Sequence, residues 1–213
     1  MWPCNNPGED ARLYKAVEAI SDFSIALGIN VPTGKDSLSM KQKYKNEEVI
    51  SPGTVIITAA GHCNDIKKVV EPVLQKNKGS IYYINISQDT YKLGGSSFGQ
   101  ILNSIGTEAP TVKNASYVTN VFNTIQALIL EDQIAAGHDV ASGGLITTLL
   151  EMCFADTNLG ARLTLSGLNE EDTVKVLFSE NCSLVIQAMH DATFENALRK
   201  NNIDFVAIGT VSN

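Results

Sequence analysis

The stretch Thr54-Val55-Ile56-Ile57-Thr58-Ala59-Ala60-Gly61 is where the sequence changes character. Its β-branched and small apolar residues, without polar alternation, predict a strand buried on both faces. Upstream, Asn6-Pro7-Gly8-Glu9 offers an N-cap acceptor, a proline at the first helical position and a carboxylate at the third. Leu13, Ala16, Val17, Ile20, Ser24 and Leu27 then recur at helical spacing, so a helix is expected over residues 7–27, closed by Gly28 in a left-handed turn. Ile29–Val31 reads as a short strand, Leu38 and Met40 alternate as the chain re-enters a sheet, and Lys41–Glu48 forms a polar hairpin.

Downstream of about Asn64 the pattern becomes an alternation of helices and strands. Helices are expected at 66–75, 97–105, 115–136, 143–155, 169–178 and 192–200, and strands at 80–86, 161–165, 183–188 and 204–211. The chain thus divides into residues 1–63 and 64–213. The fold class is α/β, with α+β mixed sheets in the second part. One helix and about three strands cannot close a core, so residues 1–63 read as part of a larger domain.

The 213 residues, 44% hydrophobic and 18% charged, are ordinary globular composition and exclude a disordered chain or a disulfide-rich mini-protein. Sixteen basic against 23 acidic residues give a formal charge of −7, which argues against nucleic acid as a partner. Cys4, Cys63, Cys153 and Cys182 are widely spaced, without CxxC or metal-ligand spacing to a histidine, which fits reduced thiols in the cytoplasm. No apolar run reaches the about 18 residues of a membrane span, and no signal peptide is evident. Met1-Trp2-Pro3-Cys4 leads directly into a helix start, as if cut from a longer chain.

Three glycine-bearing segments can carry chemistry. Gly34-Lys35-Asp36-Ser37-Leu38-Ser39 combines a cation, a carboxylate and two hydroxyls, a mixture able to hold phosphate and a hydrated Mg²⁺. Its GKDS core superficially matches the end of a P-loop, but Ile29 stands where the upstream glycine is required. An ordinary polar turn is the competing reading. Gly137-His138-Asp139-Val140-Ala141-Ser142-Gly143-Gly144 places glycines and a carboxylate at a helix start, either an anion and metal-nucleotide site or a C-cap glycine followed by an N-cap serine. Leu93-Gly94-Gly95-Ser96-Ser97 is a strand-to-helix turn whose N–H groups can bind phosphate. Together they suggest a phosphorylated ligand. His62 reads as structural and His190 as a surface residue; no cysteine sits in a nucleophile elbow, and Asn169–Asp172 suits a helix start.

Pro7-Gly8-Glu9-Asp10-Ala11 with Leu13-Tyr14, then Val31 to Met40, then His138-Asp139 with Gly143-Gly144-Leu145 and Leu150-Glu151-Met152-Cys153-Phe154-Ala155, resembles the large single-chain phosphoribosylformylglycinamidine synthase family. More distantly the chain is similar to the aminoimidazole ribonucleotide synthetase superfamily. The resemblance covers essentially the whole chain. It implies a fragment of the synthase half: the end of an N-terminal-type domain (1–63), then an aminoimidazole ribonucleotide synthetase-like C-terminal domain (64–213). The activity implied is a carbon–nitrogen ligase that uses ATP and glutamine to convert formylglycinamide ribonucleotide to the amidine in purine biosynthesis. Partners would be that substrate, ATP, and the rest of the same polypeptide, including the first synthase half and a glutaminase domain, with neither nucleic acid nor membrane.

The resemblance places Gly34, Lys35, Asp36 and Ser37 at the substrate and ATP site, Ser37 touching substrate; the residue-level reading adds Ser39 of the same loop and Gly94, Gly95 and Ser96 of the glycine turn to that set. Lys35 stands where small relatives carry a metal-ligating asparagine. Asp139 matches a Mg²⁺ ligand of an auxiliary ATP/ADP site formed with Ser142, Gly143 and Gly144; Ala141 stands where that pattern has a serine. The remaining metal ligands would lie upstream and the glutaminase triad downstream, so no catalytic residue is assigned and the fragment alone is expected to be inactive. A non-catalytic phosphate- or nucleotide-binding module is the alternative. Selenophosphate synthetase or thiamine-monophosphate kinase would lack the Gly34–Ser37 loop.

Overall fold

A computed structural model describes residues 1–156 and 158–212. The chain forms two compact units, Met1–Asn64 and Asp65–Asn213.

The first unit holds α1 (Glu9–Leu27), β1 (Lys41–Lys43) and β2 (Glu48–Ile50). Helix α1 begins two residues later than expected. Gly8 is its N-cap at φ 80°, with no side-chain cap, and Asn6 contributes its carbonyl, which accepts from Glu9 N at 3.2 Å. Gly28 closes the helix at φ 70° as expected. Strands β1 and β2 pair antiparallel, Lys41 opposite Ile50 and Lys43 opposite Glu48, so the Lys41–Glu48 hairpin carries its own ladder. Residues 1–4 run beside 37–40: Trp2 N donates to Ser37 O at 2.7 Å and Cys4 N to Leu38 O at 2.9 Å. Trp2 is buried there under the Arg12 guanidinium, 5.6 Å from the ring centroid.

The strands expected at Ile29–Val31 and Thr54–Gly61 do not form, and the re-entry at 38–40 amounts to a single bridge between Pro3 and Ser39. Ile56 and Ile57 are 70% and 64% exposed. A β-strand is stabilised by ladder partners and a covered face; Thr54 exchanges bonds with Met1 at 2.8 and 2.9 Å, but the described residues of this unit supply neither for residues 55–61. Helix α1 likewise has no buried residue.

The second unit begins with an irregular strap where a helix over 66–75 was expected. Pro72 lacks an N–H and bars the helix interior. The strap bonds elsewhere: Gly137 N donates to Glu71 O at 3.2 Å and Leu74 N to Met152 O at 3.1 Å. There follow β3 (Ile81–Asn85), α2 (Ser97–Ile101), α3 (Ala115–Leu130), β4 (Ile134–Asp139), α4 (Gly144–Phe154), β5 (Gly160–Leu163), a 3₁₀ turn (Ser166–Leu168), α5 (Thr173–Phe178), β6 (Ser183–Ala188), α6 (Asp191–Lys200) and β7 (Val206–Ser212). The strands form one sheet in the order β4-β6-β3-β7-β5, every ladder antiparallel.

Strand β3 is central and explains the layers. Successive side chains alternate between faces: Tyr82 and Ile84 pack with Val121, Leu128, Phe194 and Leu198 of α3 and α6, whereas Ile81 and Tyr83 pack with Leu145, Leu149, Met152 and Val176 of α4 and α5. Helices thus cover both faces of the sheet. Strand β4 is absent from the sequence expectation, which ran one helix from 115 to 136. Helix α3 instead stops at Leu130; Asp132 adopts φ 56°, Gln133 N returns to Leu128 O and Asp132 N to Ile129 O. This is a Schellman closure made without glycine. Helices α2 and α5 are shorter than expected: Asn103 at φ 52° follows α2, and Asp172 caps α5 by accepting from Val174 N at 2.9 Å.

Candidate functional site

In the first unit, the Gly34–Ser39 loop borders a cleft of about 560 Å³ whose walls include Leu13, Val17 and Ile20 of α1 and Val55–Ile57. Lys35 folds back on its own loop. Its Nζ donates to Asp36 O at 2.7 Å and to Ser37 Oγ at 2.6 Å. The ammonium therefore orients the Ser37 hydroxyl and lends it positive potential, while the Asp36 side chain stays exposed. Ser39 is held by its bridge to Pro3.

In the second unit, Asp139 ends β4, paired with Leu184 of β6. Its carboxylate is 71% exposed and lies 3.2 Å from His138 Nδ1, while His138 Nε2 lies 3.0 Å from Glu151 Oε2 on α4. The backbone beneath is fixed, since Thr148 Oγ1 donates to Asp139 O at 3.1 Å and Val140 N to Ser183 O at 2.9 Å. An exposed carboxylate on a fixed backbone suits a hard cation such as Mg²⁺ as a single ligand. Among the described residues, no group of three histidine, cysteine or acidic side chains is placed to hold a metal. Asp139 would thus act with ligands from elsewhere or with a nucleotide's own oxygens. Loss of solvation, then the Asp139 carboxylate, raises the pKa of the nearby Cys182 thiol, and burial raises that of Cys153; neither is an activated nucleophile.

The turn from Asp139 into α4 requires its glycines. Gly143 sits at φ 92° and Gly144 at φ 74°, where a Cβ on Gly144 would lie 2.7 Å from Leu177 O and Phe178. Gly143 is the N-cap of α4, so the serine cap considered for Ser142 does not form, and Ser142 remains exposed.

The Gly94–Ser96 turn is differently disposed. Its N–H groups are committed within the protein: Gly94 N donates to Glu108 O, Gly95 N to Ile105 O and Ser96 N to Leu93 O, at 2.8, 2.8 and 3.2 Å. The buried Ser96 hydroxyl caps α2, accepting from Gly99 N at 3.2 Å and donating to Leu93 O at 2.7 Å. A phosphate would have to displace these bonds.

Two of the three segments meet at one atom, Glu180 Oε1, which accepts from both Ser97 N and Gly143 N at 2.8 Å. Sequence reasoning missed this residue and its neighbours Ser179 and Asn181. The only cue was a polar triplet between an apolar helix and an apolar strand, which does not reveal that Ser179 and Asn181 are buried. It also missed Asp89. Burial alone would raise that pKa, but the Lys92 ammonium, the Thr111 and Thr90 amides and Lys113 outweigh it and hold the carboxyl well below the usual range.

A family model of the FGAR-AT PurM_N-like domain matches residues 1–62, and that of the AIR synthase related protein, C-terminal domain, matches residues 87–213. The chain belongs to the AIR synthase related family through this C-terminal domain. A probable phosphoribosylformylglycinamidine synthase, chloroplastic/mitochondrial, of Arabidopsis thaliana is 37% identical over 217 residues, covering 100% of this chain and 15% of that protein. The chain therefore spans about one seventh of that relative's length. Among solved structures, Thermotoga maritima PurLQS superposes with a TM-score of 0.59 at 15% identity, over 92% of this chain and 31% of that one. T. maritima PurL complexed with FGAR gives 0.59 at 16% identity, over 92% and 33%. These likenesses establish the family fold, a PurM_N-like segment followed by a C-terminal α/β domain. No helix among the described residues is long and apolar enough to cross a membrane.

Proposed function

We propose that this chain is part of a phosphoribosylformylglycinamidine synthase polypeptide, a cytoplasmic ATP- and glutamine-dependent ligase, with residues 1–63 ending one aminoimidazole ribonucleotide synthetase-like N-terminal domain and residues 64–213 forming the C-terminal domain. The observation that carries this reading is the 37% identity to such a synthase across the full chain, together with the two family matches in that order. In the reaction, the γ-phosphoryl group of ATP passes to the amide oxygen of formylglycinamide ribonucleotide. Ammonia from glutamine then adds to the activated carbon, and phosphate leaves with the oxygen.

Within this proposal the Gly34–Ser39 loop contacts substrate and ATP. Lys35 polarises and orients the Ser37 hydroxyl, which its 2.6 Å contact supports, and Asp36 and Ser39 complete the loop. Asp139 serves a second, auxiliary ADP or ATP together with Ser142, and with Gly143 and Gly144 as side-chain-free surface rather than as donors, since their amides are held by Glu180 Oε1 and Ala141 O; bound Mg²⁺ there would neutralise nucleotide phosphate charge. Gly94, Gly95 and Ser96, whose amides are committed to carbonyls, would meet substrate or ATP only by exchanging those bonds. The remaining groups, including the first synthase half and the glutaminase, would come from the rest of the polypeptide. The test is to assay that polypeptide for ATP-dependent formation of the amidine from formylglycinamide ribonucleotide and glutamine. Amidine formation is expected from it and not from residues 1–213 alone. A polypeptide that binds nucleotide without forming amidine would favour a non-catalytic module.

A further inference from the structure

We infer that Glu180 is a positioning residue, the centre of a clasp formed by Ser179-Glu180-Asn181 that holds the Asp139–Gly144 loop in register with the Gly94–Ser97 turn. The functional part of this inference rests on the nucleotide role proposed for that loop; the clasp itself does not. Glu180 Oε1 accepts from Ser97 N and Gly143 N, both at 2.8 Å. These are the leading amides of α2 and α4, which no intrahelical acceptor satisfies. A carboxylate suits them better than a neutral group, because bonds to an ionised acceptor are about twice as strong.

The flanking side chains fix where that carboxylate stands. Asn181 is fully buried, and its Nδ2 donates to Ser87 Oγ at 3.0 Å and to Asp89 O and Thr90 O at 3.3 Å. Ser179 Oγ accepts from Lys92 N at 3.1 Å. The tripeptide leads into β6, which lies between β4 and β3 in the sheet, so the clasp is tied to the most constrained part of the unit. Phe98 of α2 stacks on Phe178 of α5 at 4.6 Å, closing the same contact from the apolar side. Gly144, free of a Cβ, lets α4 approach Leu177–Phe178 closely, and Gly143, at φ 92° with Thr147 where a Cβ would stand, takes the turn that brings its amide to Glu180.

The clasp takes two amides that an anion would otherwise compete for and leaves Asp139 and Ser142 exposed. Glu180 thus holds the loop from behind while a nucleotide would be met from the solvent side.

Amide hydrogen exchange and calorimetric binding of Mg²⁺·ADP test this on the chain as it stands. Glu180→Ala should accelerate exchange at both Ser97 and Gly143 about tenfold, the loss of one charge-assisted bond each, while β3 and β6 stay protected. It should weaken Mg²⁺·ADP by about tenfold as well, and Glu180→Gln, which keeps an oxygen acceptor, should return both readouts to within about threefold of the parent. If Glu180→Ala does not fold, Ser97→Pro removes one donor at a first helical position that accepts proline; exchange at the untouched Gly143 should then rise. Unchanged exchange at Gly143 in either variant, acceleration equal to that of the core strands, or unaltered Mg²⁺·ADP affinity in Glu180→Ala against a binding parent overturns the inference. If the parent itself binds no Mg²⁺·ADP while both amides respond, the clasp stands and the nucleotide reading of the loop fails.

Discussion

At the scale of single residues, the second unit concentrates its charge where backbone turns need it. Asp89 accepts from Lys92 Nζ at 2.9 Å, Thr90 N at 2.9 Å and Thr111 N at 3.0 Å, and its side chain is nearly enclosed. A carboxyl whose folded pKa lies below its unfolded value adds stability that is complete above the unfolded value, about 4, and is lost as pH falls through the folded one. The chain should therefore keep its stability from neutrality down to about pH 5 and lose it steeply below about pH 4. Asp89→Asn should cost about 2 to 4 kcal/mol at neutral pH and flatten the acid limb. Urea titrations at several pH values check both, and an acid limb unchanged in the variant would remove Asp89 as its source. Such a residue was not legible in the sequence. Asp89 lies in an unpatterned stretch, and its partners at 111 and 113 are brought to it by folding. Lys35, Ser37 and Asp139 could be singled out as candidates because the groups around them are local in sequence and glycines flank them.

At the scale of elements, legibility followed the strength of the local stop signals. Strands at 81–85 and 183–188 were readable because helices cover both faces of the sheet, which makes β3 and β6 almost continuously apolar. Strand β4 was not, because Asp132 ends the preceding helix in a left-handed conformation that sequence reading assigns to glycine. The expectation for Thr54–Gly61 failed differently: its composition favours a strand, but a strand is a property of a sheet, and the described part of the first unit offers only the three-residue ribbon of β1 and β2 and the single Pro3–Ser39 bridge. A 19-residue helix without a buried face is also marginal in water. Amide exchange across residues 1–63 should accordingly be faster than in β3 and β6. Mass-spectrometric exchange on the isolated chain reads this directly, and uniform protection along the chain would show that the first unit finds stabilising contacts not evident in its own elements.

At the scale of the whole molecule, the two proposed loops differ in the kind of damage their loss should cause. Ser37 and Lys35 would act on bound reactants, so Ser37→Ala or Lys35→Ala in the longer polypeptide should lower kcat/KM by roughly 30- to 1000-fold, the effect of about 2 to 4 kcal/mol of lost transition-state stabilisation. Their loop is exposed and its side-chain bonds are local, so the melting temperature should hardly move. Asp139 stands on the edge strand of a packed sheet, where a bound nucleotide would add its binding free energy to folding through linkage. Asp139→Asn should therefore lower the melting temperature and loosen retained nucleotide, with a smaller effect on turnover per folded molecule. Added ADP and Mg²⁺ should raise the melting temperature of the parent and much less that of the variant. Thermal scans, nucleotide analysis of the purified protein and steady-state kinetics on the same preparations separate the cases. Abolished turnover in Asp139→Asn with an unchanged melting temperature would make its loop the catalytic one and reverse the assignment of the two.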